Sequence, residues 1–252
     1  MNPSNYESPA LTVELQAPQY DLTMDATWGE SKCGSTEALA RGVMSAMSTT
    51  PAPRLLPIFI FNAVYMIAAV GSSMAKGNKE FIFYILVMLV LIGVMSLVHR
   101  MVGLSTPLLW ALSAWGMLHM AGGLVPVPGG WPYQGEHAVL YSLWLIPEKL
   151  KYDQLVHAYG FGITTWLCWH ALTASLRRRF AIQLQPSFGM LTLCVAAGVG
   201  FGALNEVIEF IAVLTIPNTN VGGYENTGWD LIANLVGATM AAGIIRLSHQ
   251  EK

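Results

Sequence analysis

Three pairs of residues have the types and spacing to do chemistry together. Asp153 and His157 stand four residues apart, Asp230 and Asn234 also four, and Glu206 and Glu209 three. On a helix each pair shares one face. His119 adds a second imidazole. Two imidazoles with four carboxylates form an N/O donor set suited to zinc, iron or manganese. A His placed four residues after a carboxylate, facing a Glu on another helix, is similar to the way helix bundles build metal sites. In that reading His119, His157 and Glu206 hold a divalent metal, and Asp153 stands beside it and orients an imidazole. Glu209 or Asp230 acts as general base on a metal-activated water, and Asn234 completes the polar set. The same groups would equally serve a proton relay, or a hydrogen-bond network that only joins helices. The stronger zinc signature HExxH is absent.

Membrane spans must position these residues. Of the 252 residues, 54% are hydrophobic and 11% charged, where a soluble domain carries about 25% charged. The charges are also segregated: Leu55 to Ala75, Phe81 to Val98 and Phe180 to Asn205 hold none. Uncharged apolar runs of about 18 residues or more read as membrane spans. The expected fold is therefore all-α, a polytopic transmembrane bundle of about six spans. The spans fall at 55–74, 81–99, 106–124, 153–175, 188–215 and 229–247. Residues 1–52 are polar, with no long apolar period, and read as a weakly structured cytoplasmic tail; Tyr6, Tyr20 and Trp28 could dock there on a membrane-protein partner. Residues 53–252 form the transmembrane domain. Between the third and fourth spans, Pro126, Pro128, Gly129, Gly130 and Pro132 break helices, and His137 to Ile146 is apolar enough for a short interfacial helix.

Lysine and arginine set the direction. With the N-terminus inside, Arg100, Arg177, Arg178, Arg179 and Arg246 fall on the cytoplasmic side, so both termini are expected there. Trp131, Tyr133, Trp144 and Trp229 then gather outside as an interfacial belt. In this frame His119, Asp153, His157, Glu206, Glu209, Asp230 and Asn234 all fall in the outer half of the membrane. An ionisable group there costs several kcal/mol unless paired, so they should meet one another or an ion. The remaining histidines rank lower: His99 and His249 lie at boundaries, His170 reads as a satisfied core residue, and His137 is in a loop beside Glu136. Small residues in the last two spans, including Gly198, Gly200, Gly202, Gly237 and Gly243, read as close helix packing. The cysteines, Cys33, Cys168 and Cys194, form no CxxC pair. There is no basic patch with interleaved aromatics, which excludes nucleic acid as an expected partner.

The segments YDQLVHAYGFG (Tyr152–Gly162), NEVIEF (Asn205–Phe210) and GWDLIANLVGA (Gly228–Ala238), with HMAGG (His119–Gly123), resemble the YjdF-type bacterial inner-membrane proteins. Their order is also similar to the wider VanZ-like group. The Lys and Gln of that group are replaced here by Gln154 and by Glu209 or Phe210, so the resemblance is nearer to YjdF. It spans roughly residues 55 to 247. The resemblance implies a multi-pass inner-membrane protein and makes the polar cluster a family feature, without naming a reaction; VanZ-like proteins are linked to glycopeptide resistance.

The functional expectation is an inner-membrane protein whose buried His/carboxylate site acts on a lipid or envelope precursor with a divalent metal. A transporter or proton-relay protein, and a non-catalytic subunit of a membrane complex, stand as alternatives.

Overall fold

The computed structural model describes residues 55–250 apart from Glu136. The tail 1–52, with Tyr6, Tyr20 and Trp28, lies outside the described residues. Six long helices follow among them: α1 (Leu55–Lys76), α2 (Lys79–Val102), α3 (Thr106–Leu124), α4 (Tyr152–Phe180), α5 (Phe188–Thr215) and α6 (Tyr224–Gln250). Four of these, α1, α2, α5 and α6, are long and apolar enough to cross a membrane. They expose large apolar side chains outward: Leu56, Phe59 and Ile67 on α1, Val90 on α2, Phe188 on α5 and Ile244 on α6. In water such a surface would be strongly unfavourable; against lipid chains it is neutral. Two helices, α3 and α4, fall short of this. Nine residues of α4, among them His157, Thr164 and Thr165, are buried.

Local chemistry sets the ends. The Asn78 side chain accepts from the Phe81 amide at 3.1 Å and opens α2. Gly103, at φ 69°, closes α2 in the left-handed conformation that glycine adopts without strain. A proline in the first turn opens α3. The Gln154 side chain accepts from the Lys151 amide at 3.0 Å and opens α4, whose last turn carries Arg177, Arg178 and Arg179 where cations meet the negative helix end. Two helices outrun the expected spans by five residues at one end. α4 continues to Phe180, and α6 begins at Tyr224 rather than Trp229, which brings Asn226 into helical register with Asp230.

The segment between α3 and α4 departs from expectation. No α-helix forms over His137 to Ile146. Instead a three-residue 3₁₀ turn, Leu140–Ser142, precedes a small antiparallel hairpin, β1 (Trp144–Ile146) with β2 (Leu150–Lys151). Amides that would have closed a helix reach across the loop: Gln134 to Ser142 O at 2.9 Å, Trp144 to Pro132 O at 2.9 Å. With its prolines removing donors on one side, the segment satisfies its backbone by cross-loop pairing.

Packing is closest between α4 and α6. A Cβ added at Gly237 of α6 would sit 1.8 Å from the carbonyl oxygen of Ala158 on α4, and one at Gly162 would sit 3.0 Å from Gly237 O. α1 meets α3 through Asn62, which donates to Ser113 Oγ at 2.7 Å and accepts from Tyr65 OH at 2.7 Å. At the end of the bundle bearing the α2–α3 turn, His170 donates to Gly103 O at 3.1 Å and Arg178 to Met101 O. That leaves the opposite end, with the α3–α4 loop and the α5–α6 connection, for the acidic residues.

Candidate functional site

His157 sits at the centre of that end, with its side chain 5% exposed. It lies one turn into α4, so the same helix brings Asp153 beside it, with Oδ1 3.7 Å from Nε2. From α5, Glu206 Oε1 approaches the other ring nitrogen, Nδ1, at 3.7 Å. From α6, Asn234 Oδ1 lies 3.1 Å from Nδ1. A carboxamide oxygen only accepts, so Nδ1 carries a proton, and in the neutral ring Nε2 keeps its lone pair. The neutral ring thus turns a donor toward Asn234 and a free nitrogen toward Asp153.

Two triads of ligand atoms meet on this imidazole, each with all atoms within 4.8 Å of one another: Asp153, His157 and Asp230; and His157, Glu206 and Glu209. Asn226 organises the first. Its single amide nitrogen donates to Asp230 Oδ2 at 2.6 Å and faces Asp153 Oδ2 at 3.4 Å. Its oxygen accepts from Lys151 Nζ at 3.2 Å, and that ammonium also lies 5.2 Å from the Trp144 ring centroid. With both Oδ2 atoms engaged, Oδ1 of Asp153 is left toward Nε2, and Oδ1 of Asp230 is left without a partner although the residue is 1% exposed. In the second triad Asn205 donates to Glu209 Oε1 at 2.8 Å, while Glu206 Oε1 is buried without a partner. Gly202 makes room for the Asn234 amide: a Cβ there would sit 2.5 Å from Asn234 Nδ2.

His119 stands apart from both triads. Its Nδ1 lies 2.7 Å from Tyr141 OH, and the same hydroxyl donates to His119 O at 2.8 Å. The hydroxyl has one hydrogen and the carbonyl can only accept it, so Nδ1–H donates to the phenol oxygen and Nε2 of His119 stays free. Burial, reinforced by the Asp153 and Glu209 carboxylates, pushes the Tyr141 phenol well above its ordinary range, so it remains a donor.

A cavity of about 30 Å³ lies among Glu80, Tyr84, His119, Tyr141, Asp153 and Glu209, enough for about two waters. Above it opens a vestibule of about 1030 Å³ between the α3–α4 loop and the α5–α6 connection, which also reaches Asp153, Tyr141 and Asn226. Asn220 to Gly222 line both spaces, and the Asn220 amide donates to Glu80 Oε2 at 2.9 Å. The wall between vestibule and cavity is thereby fastened to α2.

Asp153, His157, Glu206, Glu209, Asp230 and Asn234 are therefore brought together, while His119 lines the adjoining cavity. Sequence reasoning missed Asn226, Tyr141, Asn205 and Glu80. Asn226 carries a readable signal, four residues before Asp230 on one helix face. Tyr141 carries none, because its position depends on the cross-loop pairing.

Residues 57–251 match the family model described as "Predicted membrane protein (DUF2238)". No curated protein and no solved structure matches the chain.

Proposed function

The chain belongs to the DUF2238 family of predicted membrane proteins, and from this premise we propose that it is a six-span inner-membrane protein of YjdF type, both termini cytoplasmic, that binds a divalent metal near its outer face and uses it on a lipid or envelope precursor. The observation that carries this reading is the triad of Asp153, His157 and Asp230, with ligand atoms all within 4.8 Å of one another, in which Asn226 engages one oxygen of each carboxylate and leaves the other uncommitted. Asp153 Oδ1, His157 Nε2 and Asp230 Oδ1 would hold the ion, a donor set that suits zinc, iron or manganese. Ligands about 2.1 Å from one tetrahedral ion stand about 3.4 Å apart. Separations of up to 4.8 Å would close by up to about 1.4 Å.

When bound, the metal would acidify a coordinated water and polarise the bond being broken. The chain's own groups do the rest. Asn234 fixes the tautomer of His157. Asn226 keeps two like carboxylates side by side, with Lys151 opposing their charge. His119 Nε2, on the adjoining cavity, takes the proton, and Tyr141 orients that ring. Asp230 thus acts as a ligand and His119 as the proton acceptor, the reverse of what spacing alone suggests. The vestibule admits the polar part of an amphiphile whose chains stay in the outer leaflet.

Metal analysis of the full chain purified in mild detergent tests this. After loading with Mn²⁺ or Zn²⁺ and desalting, the protein should retain metal. Asp230→Asn and His157→Ala, at unchanged tryptophan fluorescence and gel-filtration volume, should lose the ion held at Nε2. Wild-type protein that retains none, or a His157→Ala variant that retains all, overturns the proposal.

A further inference from the structure

We infer that the vestibule takes a neutral, polyhydroxylated headgroup, a sugar carried on a lipid, in preference to a phosphate or an ammonium. The inference rests on the reading of a lipid or envelope precursor as the ligand and names the class of its headgroup.

Size sets the first bound. The vestibule holds about 1030 Å³, the liquid volume of roughly 34 waters. A phosphate or an ammonium fills a small part of that, whereas one or more sugar rings occupy it well. The lining reaches Asp153 and Asn226, so an occupant of the vestibule meets the first triad.

Charge argues against an anion. Among the described residues the lining carries Lys149 and Lys151 against Glu148, Glu225 and Asp153, and no arginine. The planar fork that grips phosphate oxygens in pairs is therefore missing. Lys149 adjoins Glu148 in the turn between β1 and β2. The Lys151 ammonium is already engaged, 3.2 Å from the Asn226 side-chain oxygen. An ammonium headgroup fares no better. Such groups are held over aromatic faces, and the Trp144 face already carries Lys151 Nζ, 5.2 Å from its centroid.

The rest of the polar lining is neutral and suits hydroxyls. Gln134, Gln154, Asn218, Asn220 and Asn226 bring five carboxamides to one space. Each carboxamide both donates and accepts, as a sugar hydroxyl does, so it meets neighbouring hydroxyls without adding charge. Two of them stand on fixed backbone. The Gln154 oxygen accepts from the Lys151 amide at 3.0 Å, which leaves its amino group for an occupant. The Asn220 amide is tied to Glu80 at 2.9 Å. Two aromatic rings complete the lining, Trp229 at 50% exposed and Tyr224 at 95%. Flat apolar rings beside convergent amides match a ring that bears hydroxyls on its edge and C–H groups on its faces. A role as membrane-interface anchors accounts for the rings but leaves the five amides unexplained.

The full chain in tetraethylene glycol monooctyl ether, a detergent without a sugar, tests this. It is offered equal amounts of monoglucosyl diacylglycerol, phosphatidylglycerol, phosphatidylethanolamine and diacylglycerol with matched chains, and bound lipid is counted by native mass spectrometry. The glucosyl lipid should be retained about fivefold or more over each of the others. Trp229→Ala combined with Gln134→Ala, at unchanged gel-filtration volume, should bring the ratios close to one. Preferred retention of either phospholipid, equal retention of diacylglycerol, or an unchanged preference in the double variant overturns the inference. Should the double variant not fold, the wild-type ranking still decides. The count is made with chelator and again after Mn²⁺ loading, which separates the two proposals. A sugar preference in protein that retains no metal sustains this inference while the metal reading fails. Retained metal without a sugar preference overturns this inference alone.

Discussion

Replacing Gly237 with alanine tests the claim that α4 and α6 are set by backbone contact and that this contact positions the site. The new Cβ would lie 1.8 Å from Ala158 O, and contacts below 3.0 Å do not occur. The obstructing atom is backbone, so the helices must part by about 1.2 Å before the side chain fits. His157 Nδ1 and Asn234 Oδ1, now 3.1 Å apart, lie on these same two helices, and that separation takes them out of hydrogen-bonding range. Overpacking costs about 1–3 kcal/mol and the lost hydrogen bond about 1 kcal/mol. The better helix propensity of alanine returns about 1 kcal/mol. The expected net loss is about 2 kcal/mol of unfolding free energy. Gly200→Ala and Gly243→Ala provide matched controls, because nothing lies within 4 Å of a Cβ at either position; they should be neutral or slightly stabilising. Reversible denaturant unfolding in mixed micelles, followed by tryptophan fluorescence, measures all three. A Gly237→Ala protein as stable as Gly243→Ala would refute the reasoning.

Further outcomes follow from the same geometry. Asn226→Ala frees both Oδ2 atoms and should weaken divalent-ion affinity about 10- to 100-fold, read by competition with a fluorescent chelator, with unfolding free energy little changed. Tyr141→Phe keeps the ring but removes the hydroxyl, leaving His119 O and Nδ1–H unpaired; stability should fall by about 1–3 kcal/mol while the number of ions bound stays the same, and loss of an ion would contradict the separation of His119 from the two triads. Glu80→Ala removes the acceptor for the Asn220 amide, so deuterium uptake by the peptide over residues 216–223 should rise in exchange mass spectrometry; unchanged uptake would show that Glu80 does not fasten the wall.

The apolar runs and the polar pairs are legible in the chain itself. Long uncharged stretches have few alternatives to a helix in a lipid environment, because the backbone must satisfy itself. Spacings of three and four fix a shared helix face whatever the surroundings. Together they set the order of the helices and gather Asp153, His157, Glu206, Glu209, Asp230 and Asn234 toward one end. The glycines mark the limit of such inference. Gly198, Gly200, Gly202, Gly237 and Gly243 look alike in sequence, yet a Cβ would strike Thr165 Oγ1 at 2.1 Å from Gly198 and meet nothing at Gly200 or Gly243. Which face of a helix meets its neighbour depends on rotation about the helix axis, and nearly uniform apolarity leaves that rotation open.

Tertiary structure alone decided which partner each polar group takes. His119 and His157 are the same residue type at the same end of the bundle, but the loop brings Tyr141 to one and the α6 approach at Gly237 brings Asn234 to the other. Asn226 joins two carboxylates that lie 77 residues apart in the chain. Hydrogen bonds and ion ligation depend on ångström distances between atoms on different helices. Local sequence chooses the helices and the faces, and only their packing sets those distances.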